Sequence, residues 1–448
     1  MIEQLLEQAR RRADGGADAL WRRTERTSVS FEWGRLKAAG ATEEAGANLR
    51  VRHRGRVGVA GMTGIDPGED GSQHVAPLLD RALASAALGE ELDLVFPAPA
   101  AVPPVTTFFP RAADANLDAL IAVGRSLFQR LEREGCRVNV ALERAVTDTH
   151  VANASGTSGR YRSTAVALSA DVWRIADDDV LAVGDAFEAT DLPSEGDVAT
   201  VADSINSRID RALRIVQPPE GALPVVFTPA GLSAVLLPIT QALSGKAVLQ
   251  GISPLATRVG EQVFDARLSL TDDALSRGRP ASRPLDDECV PSRTTCLVER
   301  GVVRRFIYDL ETAARARAAS TGNGQRSIFG KPVPGYTNLV LGAGDQGSGK
   351  ATPHLGGGLV RDVADGLLVD ELIGVGQGNV IGGTFSHPVA LAYRVERGEI
   401  TGRVKDAAVA GNAYELWKRV AGCGNDARWT GSRFAPSILL EGVGVARR

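Results

Sequence analysis

The hydrophobic and polar positions of this 448-residue chain follow patterns that predict both helices and strands. Residues 1–16, MIEQLLEQARRRADGG, form an amphipathic pattern that predicts a helix. Two stretches then read as strands, SVSFEWGRLKAAG with a turn at Trp33 and Gly34, and ANLRVRHRGRVGVAG with a turn at Arg54 and Gly55. Because glycine supplies the turn geometry, each stretch predicts a β-hairpin.

The rest of the first half predicts more helices and one long hairpin. A helix is expected over about 74–88, followed by a proline-rich surface segment, since proline cannot join a helix or a central strand. Asp114 is the expected N-cap of a long helix that Gly135 ends. Strands flank an Asn-Ala-Ser-Gly turn, and a further helix over about 198–216 leads to the sequence QPPEG.

The second half is richer in strand patterns. TTCLVERGVVRRFIYD and ALAYRVERGEITGRV predict two hairpins built on the same Val-Glu-Arg-Gly turn. The segment LLPITQALSGKAVLQG (236–251) instead predicts one buried helix, since its apolar residues recur at helical spacing.

This mixed order of strands and helices favours an α+β fold over a doubly wound parallel sheet. The chain is also too long for one hydrophobic core to be the natural arrangement. We predict two domains, a mixed α/β N-terminal domain with antiparallel strands (1–217) and a β-rich C-terminal domain (218–448).

Composition narrows the class of protein. Apolar residues make up 44% of the chain and charged residues 23%, with a net charge of −3, a balance typical of soluble globular proteins. No concentrated basic face is indicated, so we expect no nucleic-acid binding. No apolar run is long enough to span a membrane, and the first helix lacks the apolar region of a signal peptide. We therefore expect a cytoplasmic protein without membrane contact.

Residue types alone predict no self-sufficient active site. The five histidines include no pair on one helix face, although a metal site built from distant His and Cys residues stays open. The four cysteines are too few for a disulfide scaffold in a chain of this length. Ser386 and His387 are neighbours, so on an extended chain they point to opposite sides and cannot act as nucleophile and base.

Acidic residues cluster in two short segments of the second half. We expect them to cap backbone amides in turns, with a cation site as the alternative. The cluster consists of Asp272, Asp273, Asp286, Asp287 and Glu288.

An ordered set of motifs along most of the chain resembles the TldD/PmbA family, also called modulators of DNA gyrase, whose members include zinc-dependent peptidases. In the first half the likeness rests on SFEWGRLKAAG, GANLRVRHRGRVGVAG and VANASGTSGRYRSTAVALSADV. In the second half it rests on LSGKAVLQGISPLATRVGEQVFDARLSLTDD, SRPLDDECVPSRTTCLVERGVVRRFIYDLETA, STGNGQR, TNLVLGAG and the run from GLLVDELIGVGQGNVIGGTFS to AVAGNAYELW. The resemblance implies the α+β fold of this family.

The catalytic TldD branch of that family carries a zinc-binding H-E-x-x-x-H helix and a cysteine ligand near the C-terminus. In register on ATRVGEQVF, the first histidine corresponds to Gln241, the glutamate to Ala242 and the second histidine to Lys246. An amide, a methyl group and an ammonium cannot hold zinc or act as base on a metal-bound water. Cys423 lies several residues before the expected ligand position. We therefore expect neither catalytic residues nor a metal or other cofactor in this chain.

These departures match the PmbA branch, also called TldE, whose members lack the zinc motif. The resemblance implies a non-catalytic subunit that forms a heterodimer with a TldD-like metallopeptidase, the zinc lying in that partner. The two chains would enclose a channel for unfolded or precursor peptides, held as extended strands by sheet edges. A homodimer is the alternative assembly.

The resemblance also implies a channel-lining segment within STGNGQR, supported by a nearby asparagine. A purely structural loop is the alternative for each position. The expected residues are Thr321, Gly322, Asn323, Gly324, Arg326 and Asn338.

Two other functions stay open at this stage. The first is a stand-alone divergent peptidase or amide-processing enzyme of a biosynthetic pathway, using His354, His387 or the acidic cluster. The second is a regulatory binding protein.

Overall fold

A computed structural model describes residues 1–65, 72–177, 179–342 and 355–448. The helices are α1 Ile2–Arg12, α2 Ser72–Leu88, α3 Pro110–Ala113, α4 Leu117–Leu131, α5 Glu195–Ala212, α6 Ser233–Ala242, α7 Gly245–Leu249, α8 Leu310–Ala316 and α9 Ala413–Leu416, with 3-10 turns at Leu359–Asp362 and Val380–Gly382. The strands of the first half are β1 Ala17–Glu32, β2 Arg35–His53, β3 Arg56–Thr63, β4 Cys136–Asn153, β5 Ser158–Ala176 and β6 Asp179–Ala189. The strands of the second half are β7 Ile215–Val216, β8 Gly221–Phe227, β9 Ser269–Asp273, β10 Thr294–Glu299, β11 Val302–Val303, β12 Gly324–Gln325, β13 Val333–Pro334, β14 Leu339–Gly342, β15 Asp365–Leu372, β16 Thr384–Glu396, β17 Glu399–Val404, β18 Ala407–Asn412, β19 Val420–Cys423, β20 Arg428–Thr430, β21 Arg433–Ala435 and β22 Ile438–Arg447.

The first half forms a six-stranded antiparallel sheet in the order β3-β2-β1-β4-β5-β6. Its first two turns confirm the predicted hairpins. Trp33 and Arg54 both take left-handed backbone angles, with φ of 49° and 52°, and a glycine with positive φ follows each. Two consecutive left-handed residues match the twist of the flanking strands, so the chain can return directly.

Helices cover one face of this sheet in two places. α1 and α2 pack near Ala17 and Ala19 of β1, whereas α4 and α5 pack near Val29 and Phe31 of the same strand. All four residues have odd numbers, and alternate residues of a strand point to the same face. The opposite face carries the even-numbered residues, among them Asp18, which is turned towards the second half of the chain.

The second half contains two larger sheets and a two-stranded ribbon. One sheet runs β15-β8-β22-β18-β16-β17-β7 with β19 beside β22, the other runs β11-β10-β9-β14-β21-β20, and β12 pairs with β13. The two Val-Glu-Arg-Gly turns join β10 to β11 and β16 to β17, as predicted. The expected α+β fold, with antiparallel strands first and a β-rich second half, is confirmed.

A shared hydrophobic core connects the halves. Leu168 of β5 and Ile205 of α5 belong to the same buried cluster as Val226, Leu368 and Leu439 from the second half. β7 also pairs with β17, so the chain joins a C-terminal sheet just before the predicted domain division. The division at 217 and 218 stays a prediction.

Two predicted helix boundaries need correction. The long helix is capped by Asn116, whose Oδ1 accepts from the N–H of Ala119 at 2.9 Å, while Asp114 ends the short α3. The same helix ends at Leu131, before Gly135. The helix predicted over 198–216 is α5, which starts earlier because Ser194 and Asp197 form a capping box, and which ends before β7 begins.

Across the ranges that the structure describes, we find no helix that is both long and apolar enough to cross a membrane. The cytoplasmic location stays a prediction.

The corrected cap can be tested by two alanine substitutions. Asn116→Ala removes the acceptor for the Ala119 N–H and should lower the free energy of unfolding by about 1 kcal/mol. Asp114→Ala, the control, changes an exposed residue outside α4 and should stay within about 0.5 kcal/mol of wild type. Urea denaturation followed by circular dichroism measures both; equal losses would contradict the assignment.

Candidate functional site

The segment predicted to form one degenerate metal-binding helix is divided into α6 and α7. At Ser244 the backbone becomes extended, and the N–H of Gly245 donates to the carbonyl of Ile307 at 2.8 Å. Gly245 is needed there because a Cβ would lie 2.3 Å from the ring of Tyr308. The prediction of a single helix over 236–251 was therefore wrong, since packing against this neighbouring segment interrupts it.

The three positions compared with the zinc motif do not share one helix edge. Gln241 is exposed near the end of α6, Ala242 is fully buried in the core, and Lys246 is exposed on α7. Their side chains do not fit zinc, which binds imidazole, thiolate or carboxylate donors. Within the four described ranges, no three His, Cys, Asp or Glu side chains are arranged to hold a metal ion.

Cys423, which lies several residues before the expected position of the metal-ligand cysteine, is in β19 and packs against the C-terminal core. Burial raises the pKa of its thiol. A thiol with a raised pKa is a poor source of thiolate, the form that binds metal.

The outward side of α6 borders two adjoining cavities, the larger between the two halves of the chain and the smaller within the second half. One has a volume of about 490 Å³ and includes Ser233, and the other has about 240 Å³ and includes Leu237. Val375 lines both. We call the two together the α6 groove. Its other lining residues include Ser169, Gly184, Asp185, Ala186, Arg208, Asp370, Glu371, Gln377, Asn379, Phe385, Ser386, His387 and Arg428.

Paired charges form one wall of the α6 groove. Arg208 Nη1 donates to Asp370 Oδ2 at 2.8 Å, and Arg428 Nη1 donates to Asp185 Oδ2 at 2.7 Å. Burial alone would raise the pKa of Asp185, but Arg428 and Arg208 hold it below its ordinary value. Burial, assisted by Asp370, raises the pKa of Glu371. The wall is thus polar, with most of its charges already compensated within the chain.

The smaller cavity contains Ser386 and His387, the adjacent pair noted in the sequence. His387 stacks on Phe385 with ring centroids 5.8 Å apart, and burial lowers its pKa, which favours the neutral imidazole at pH 7. Among the described residues, no hydrogen bond joins Ser386 to His387. His354, the other histidine proposed above, lies outside the described residues.

A row of small side chains extends from the groove across the N-terminal sheet. Ala186 of β6 lies opposite Ser169, Ser169 opposite Ala141, and Ala141 opposite Ser30. Ser30 in turn lies opposite Ala38 of β2. All five are at least partly exposed, on the sheet face opposite the helices. Small side chains leave room for another extended chain to lie close to the sheet.

The STGNGQR segment is buried inside the second half. Thr321 Oγ1 donates to Asn323 Oδ1 at 2.6 Å, and Asn323 Nδ2 donates to Asp272 Oδ2 at 2.6 Å. Gly322 has a φ of 79°, and a Cβ on Gly324 would lie 2.2 Å from the carboxylate of Glu288.

Arg326 carries this network into the N-terminal sheet. Its Nη1 donates to Asp18 Oδ1 at 2.8 Å and to Asn48 Oδ1 at 3.1 Å. Arg50 also pairs with Asp18, and its Nη1 donates to Glu288 Oε1 at 2.6 Å. The Arg50 side chain is only 2% exposed. Burial alone would lower the pKa of Arg50, but Asp18 and Glu288 raise it.

Asn338 occupies a separate position in the same half. Its Nδ2 donates to the carbonyl of Asp273 at 2.8 Å and to Ser282 Oγ at 2.9 Å. All six expected channel residues are therefore buried, with polar contacts inside this chain. The five from 321–326 are brought together, and Asn338 lies apart from them in the network. A channel-lining role for the six stays a prediction.

The acidic cluster caps turns and pairs with arginines. Asp286 accepts from the N–H groups of Glu288 at 2.9 Å, Val290 at 2.8 Å and Gly324 at 2.9 Å. Asp287 accepts from Arg22 Nη2 at 2.8 Å. The turn-capping role predicted from the sequence is what the hydrogen bonds show.

Sequence reasoning missed the charged residues that join the two halves and line the groove. Asp18 stands in the strand segment ADALW, and Arg50 stands in ANLRV, where apolar and polar residues alternate. Arg208 is a buried residue of α5 beside its apolar positions. The alternation around Arg50 is that of a strand with one polar face, so it gave no signal of burial. Arg208 did give one, because helical spacing places it on the apolar face of α5 and buried charges are normally paired.

Comparison with known proteins identifies the class. Two domain descriptions of one family match: the PmbA/TldA metallopeptidase C-terminal domain over residues 220–447, and PmbA/TldA metallopeptidase domain 1 over residues 17–86. The first match alone spans just over half of the chain. The chain belongs to the TldD/PmbA metallopeptidase family.

Curated relatives include both named types. A metalloprotease of Methanocaldococcus jannaschii is 29% identical over 216 residues, covering 47% of this chain and 46% of the relative. In Haemophilus influenzae, a TldD homolog is 30% identical over 212 residues (47% and 42%), and a PmbA homolog is 25% identical over 227 residues (50% and 46%). The matches span about half the length of these curated relatives.

Solved structures share the whole fold. TldE from Thermococcus kodakarensis superposes with a TM-score of 0.87 at 23% identity, covering 99% of both chains. A proposed modulator of a DNA gyrase from Thermotoga maritima superposes with a TM-score of 0.84 at 22% identity, again covering 99% of both.

The buried Arg50, which joins the two halves of the chain, should contribute strongly to the free energy of unfolding. Arg50→Met leaves Glu288 buried without its cation and Asp18 with Arg326 alone, and should lower the free energy of unfolding by about 3–5 kcal/mol. Arg11→Met, on the exposed pair with Glu7, is the control and should change it by less than about 0.5 kcal/mol. Urea denaturation of both variants decides; a small loss for Arg50→Met would contradict the role given to this junction.

The stabilising effect of Asp287 should depend on pH. Burial alone would raise its pKa, but Arg22 and Arg283 lower it below the ordinary value. A depressed pKa means that stabilisation is present above the unfolded-state pKa and is lost as the pH falls towards the folded-state value. The difference in unfolding free energy between wild type and Asp287→Asn should therefore shrink between pH 7 and pH 3.

Urea denaturation at several pH values tests this expectation. Asp80→Asn, which changes an exposed ion pair with Arg12, is the matched control and should have a small effect throughout. A difference for Asp287→Asn that grows on acidification would have the wrong sign.

Proposed function

We propose that this chain is a non-catalytic subunit of a TldD/PmbA-type peptidase and that the α6 groove forms one wall of a peptide channel. One observation supports the proposal above all. An open groove lies beside α6, and the residues of α6 and α7 at the zinc-motif positions, Gln241, Ala242 and Lys246, offer no metal donors. The groove offers room for a substrate, while Gln241, Ala242 and Lys246 beside it offer neither a zinc ligand nor a general base.

The wall suits an extended and variable peptide. The small side chains in line with Ala186 and Ser169 let a backbone approach the sheet without steric conflict. The compensated pairs Arg208–Asp370 and Arg428–Asp185 offer polar atoms without a strong net charge. Recognition of this kind rests on the backbone and tolerates many sequences, as unfolded or precursor peptides require.

The catalytic partner in this proposal is a TldD-like chain that supplies the zinc and the general base. The PmbA and TldD homologs of Haemophilus influenzae, both similar to this chain, support the coexistence of two chain types in one organism. This chain itself is proposed to hold no cofactor.

A stand-alone amide-processing enzyme is the second candidate. It is favoured by the position of His387, one of the residues considered for this function, in the lining of the smaller cavity beside α6. The two candidates differ in whether the chain hydrolyses peptides without a partner.

The proposal is tested by assaying unfolded peptide hydrolysis and zinc content for the chain alone and with a TldD-like partner. We expect hydrolysis only by the pair, with zinc retained by the partner. Hydrolysis by the chain alone that His387→Ala abolishes would support the second candidate instead.

A bulky residue in the groove provides a sharper test. Ala186→Trp should lower the hydrolysis rate of the complex by about tenfold or more, because misplacing a bound chain is costly. Ala122→Trp, at an exposed position of α4, is the matched control and should keep the wild-type rate. Both variants should still co-purify with the partner, and equal rates would rule out the groove as the channel wall.

A further inference from the structure

The strand β15 is irregular where it borders the α6 groove. Asp370 and Glu371 are adjacent residues, yet both line the larger cavity of the groove. In a regular strand, adjacent side chains point to opposite faces. Here Val369 lies opposite Ala392 of β16, and two positions later Glu371 lies opposite the neighbouring Leu391, so the ladder contains an extra residue. A bulge of this kind re-aims side chains, and in this strand it brings two consecutive carboxylates into one cavity.

The charges that line the larger cavity do not balance. They are three carboxylates and two guanidinium groups, on Asp185, Asp370, Glu371, Arg208 and Arg428. Arg208 lies 2.8 Å from Asp370 and 3.5 Å from Asp185. Arg428 lies 2.7 Å from Asp185. Both arginines are thus paired with the two aspartates. Within the part of the chain that the structure describes, the side chain of Glu371 forms neither an ion pair nor a hydrogen bond.

The ionised form of Glu371 is therefore poorly compensated. The cavity walls partly withdraw this carboxyl group from water, which raises its pKa, and the negative charge of Asp370 raises the pKa further. Arg208 opposes this effect without cancelling it. A cation that entered the cavity beside Glu371 would stabilise its ionised form and balance the charge of the lining.

The surroundings of Glu371 favour an organic cation over a metal ion. Across the four described ranges, no three His, Cys, Asp or Glu side chains are arranged to hold a metal. The cavity of about 490 Å³ is instead lined near its charges by small residues, among them Ser169, Gly184 and Ala186. An ammonium or guanidinium group needs one carboxylate acceptor and room for the chain that carries it, and the cavity offers both.

We propose that Glu371 is a specificity-determining residue that binds a cationic group of the peptide in the α6 groove, either the N-terminal ammonium or a lysine or arginine side chain. The inference rests on the function proposed above, because it takes the groove to hold a peptide. A charge-assisted hydrogen bond to Glu371 fixes one residue of the bound peptide. Backbone contacts along the rest of the groove still tolerate many sequences.

Three peptides of one uncharged, unfolded sequence test the proposal, each with a C-terminal amide and the same uncharged fluorophore. The first keeps its N-terminal ammonium, the second is acetylated and contains one lysine, and the third is acetylated and contains no lysine. Fluorescence anisotropy measures their binding to the full chain, alone and with a zinc-free TldD-like partner. At least one cationic peptide should bind about tenfold more tightly than the uncharged peptide, or about 1.4 kcal/mol. The peptide that does so identifies the source of the cation.

Variants of Glu371 test whether this residue produces the preference. Glu371→Gln keeps the shape of the side chain but removes its charge, and should bring the affinities for cationic and uncharged peptides within about twofold of each other. Glu371→Lys should instead prefer an acetylated peptide in which glutamate replaces the lysine. Glu441→Gln, which changes an exposed glutamate of β22 outside the groove, is the matched control and should keep the tenfold preference. Circular dichroism confirms that each variant is folded.

Two results would overturn the inference and leave the proposed function intact. The first is equal binding of cationic and uncharged peptides to the wild-type chain. The second is a preference that Glu371→Gln and Glu441→Gln both retain. In either case the peptides still bind, and Ala186→Trp still weakens their binding. A chain that binds none of the three peptides, alone or with the partner, would contradict the channel-wall function and the role of Glu371 together.

Discussion

The buried arginine Arg50 is the interaction on which the arrangement of the two halves depends. It stands in the N-terminal sheet but pairs with Asp18 of its own half and with Glu288 of the other. Arg326 reaches back from the second half to the same Asp18. Charges buried without partners are very costly, so each half needs the other to complete this network. The halves are therefore held in one fixed relation.

That fixed relation creates the α6 groove. One wall comes from β5 and β6, and the other comes from α6 and the loop that precedes β16. Neither half alone would form the larger cavity of the groove, whereas the smaller cavity is lined by the second half only. The ion pairs Arg208–Asp370 and Arg428–Asp185 also join residues of the two halves. The wall of the groove is therefore held by the same kind of contact as the Arg50 network.

Sequence patterns predicted the hairpin turns correctly but misplaced helix ends that depend on packing. The hairpin turns at Trp33 and Arg54 follow from glycine at the next position. The predicted N-cap of α4 was misplaced by two residues, because Asp114 and Asn116 are both good caps and only packing selects between them. The single helix predicted around Gln241 divided in two because a distant strand segment at Ile307 captures the N–H of Gly245.

The sequence by itself determined the class of fold, the strand-rich second half, the turn-capping role of residues such as Asp286 and the lack of zinc donors at Gln241, Ala242 and Lys246. These depend on residue type and on neighbours a few positions away. Only the tertiary structure decided that Arg326 lies buried against Asp18, 308 positions away along the chain, and that the groove opens beside α6. Contacts over such separations leave no periodic pattern, because they depend on how whole sheets pack together.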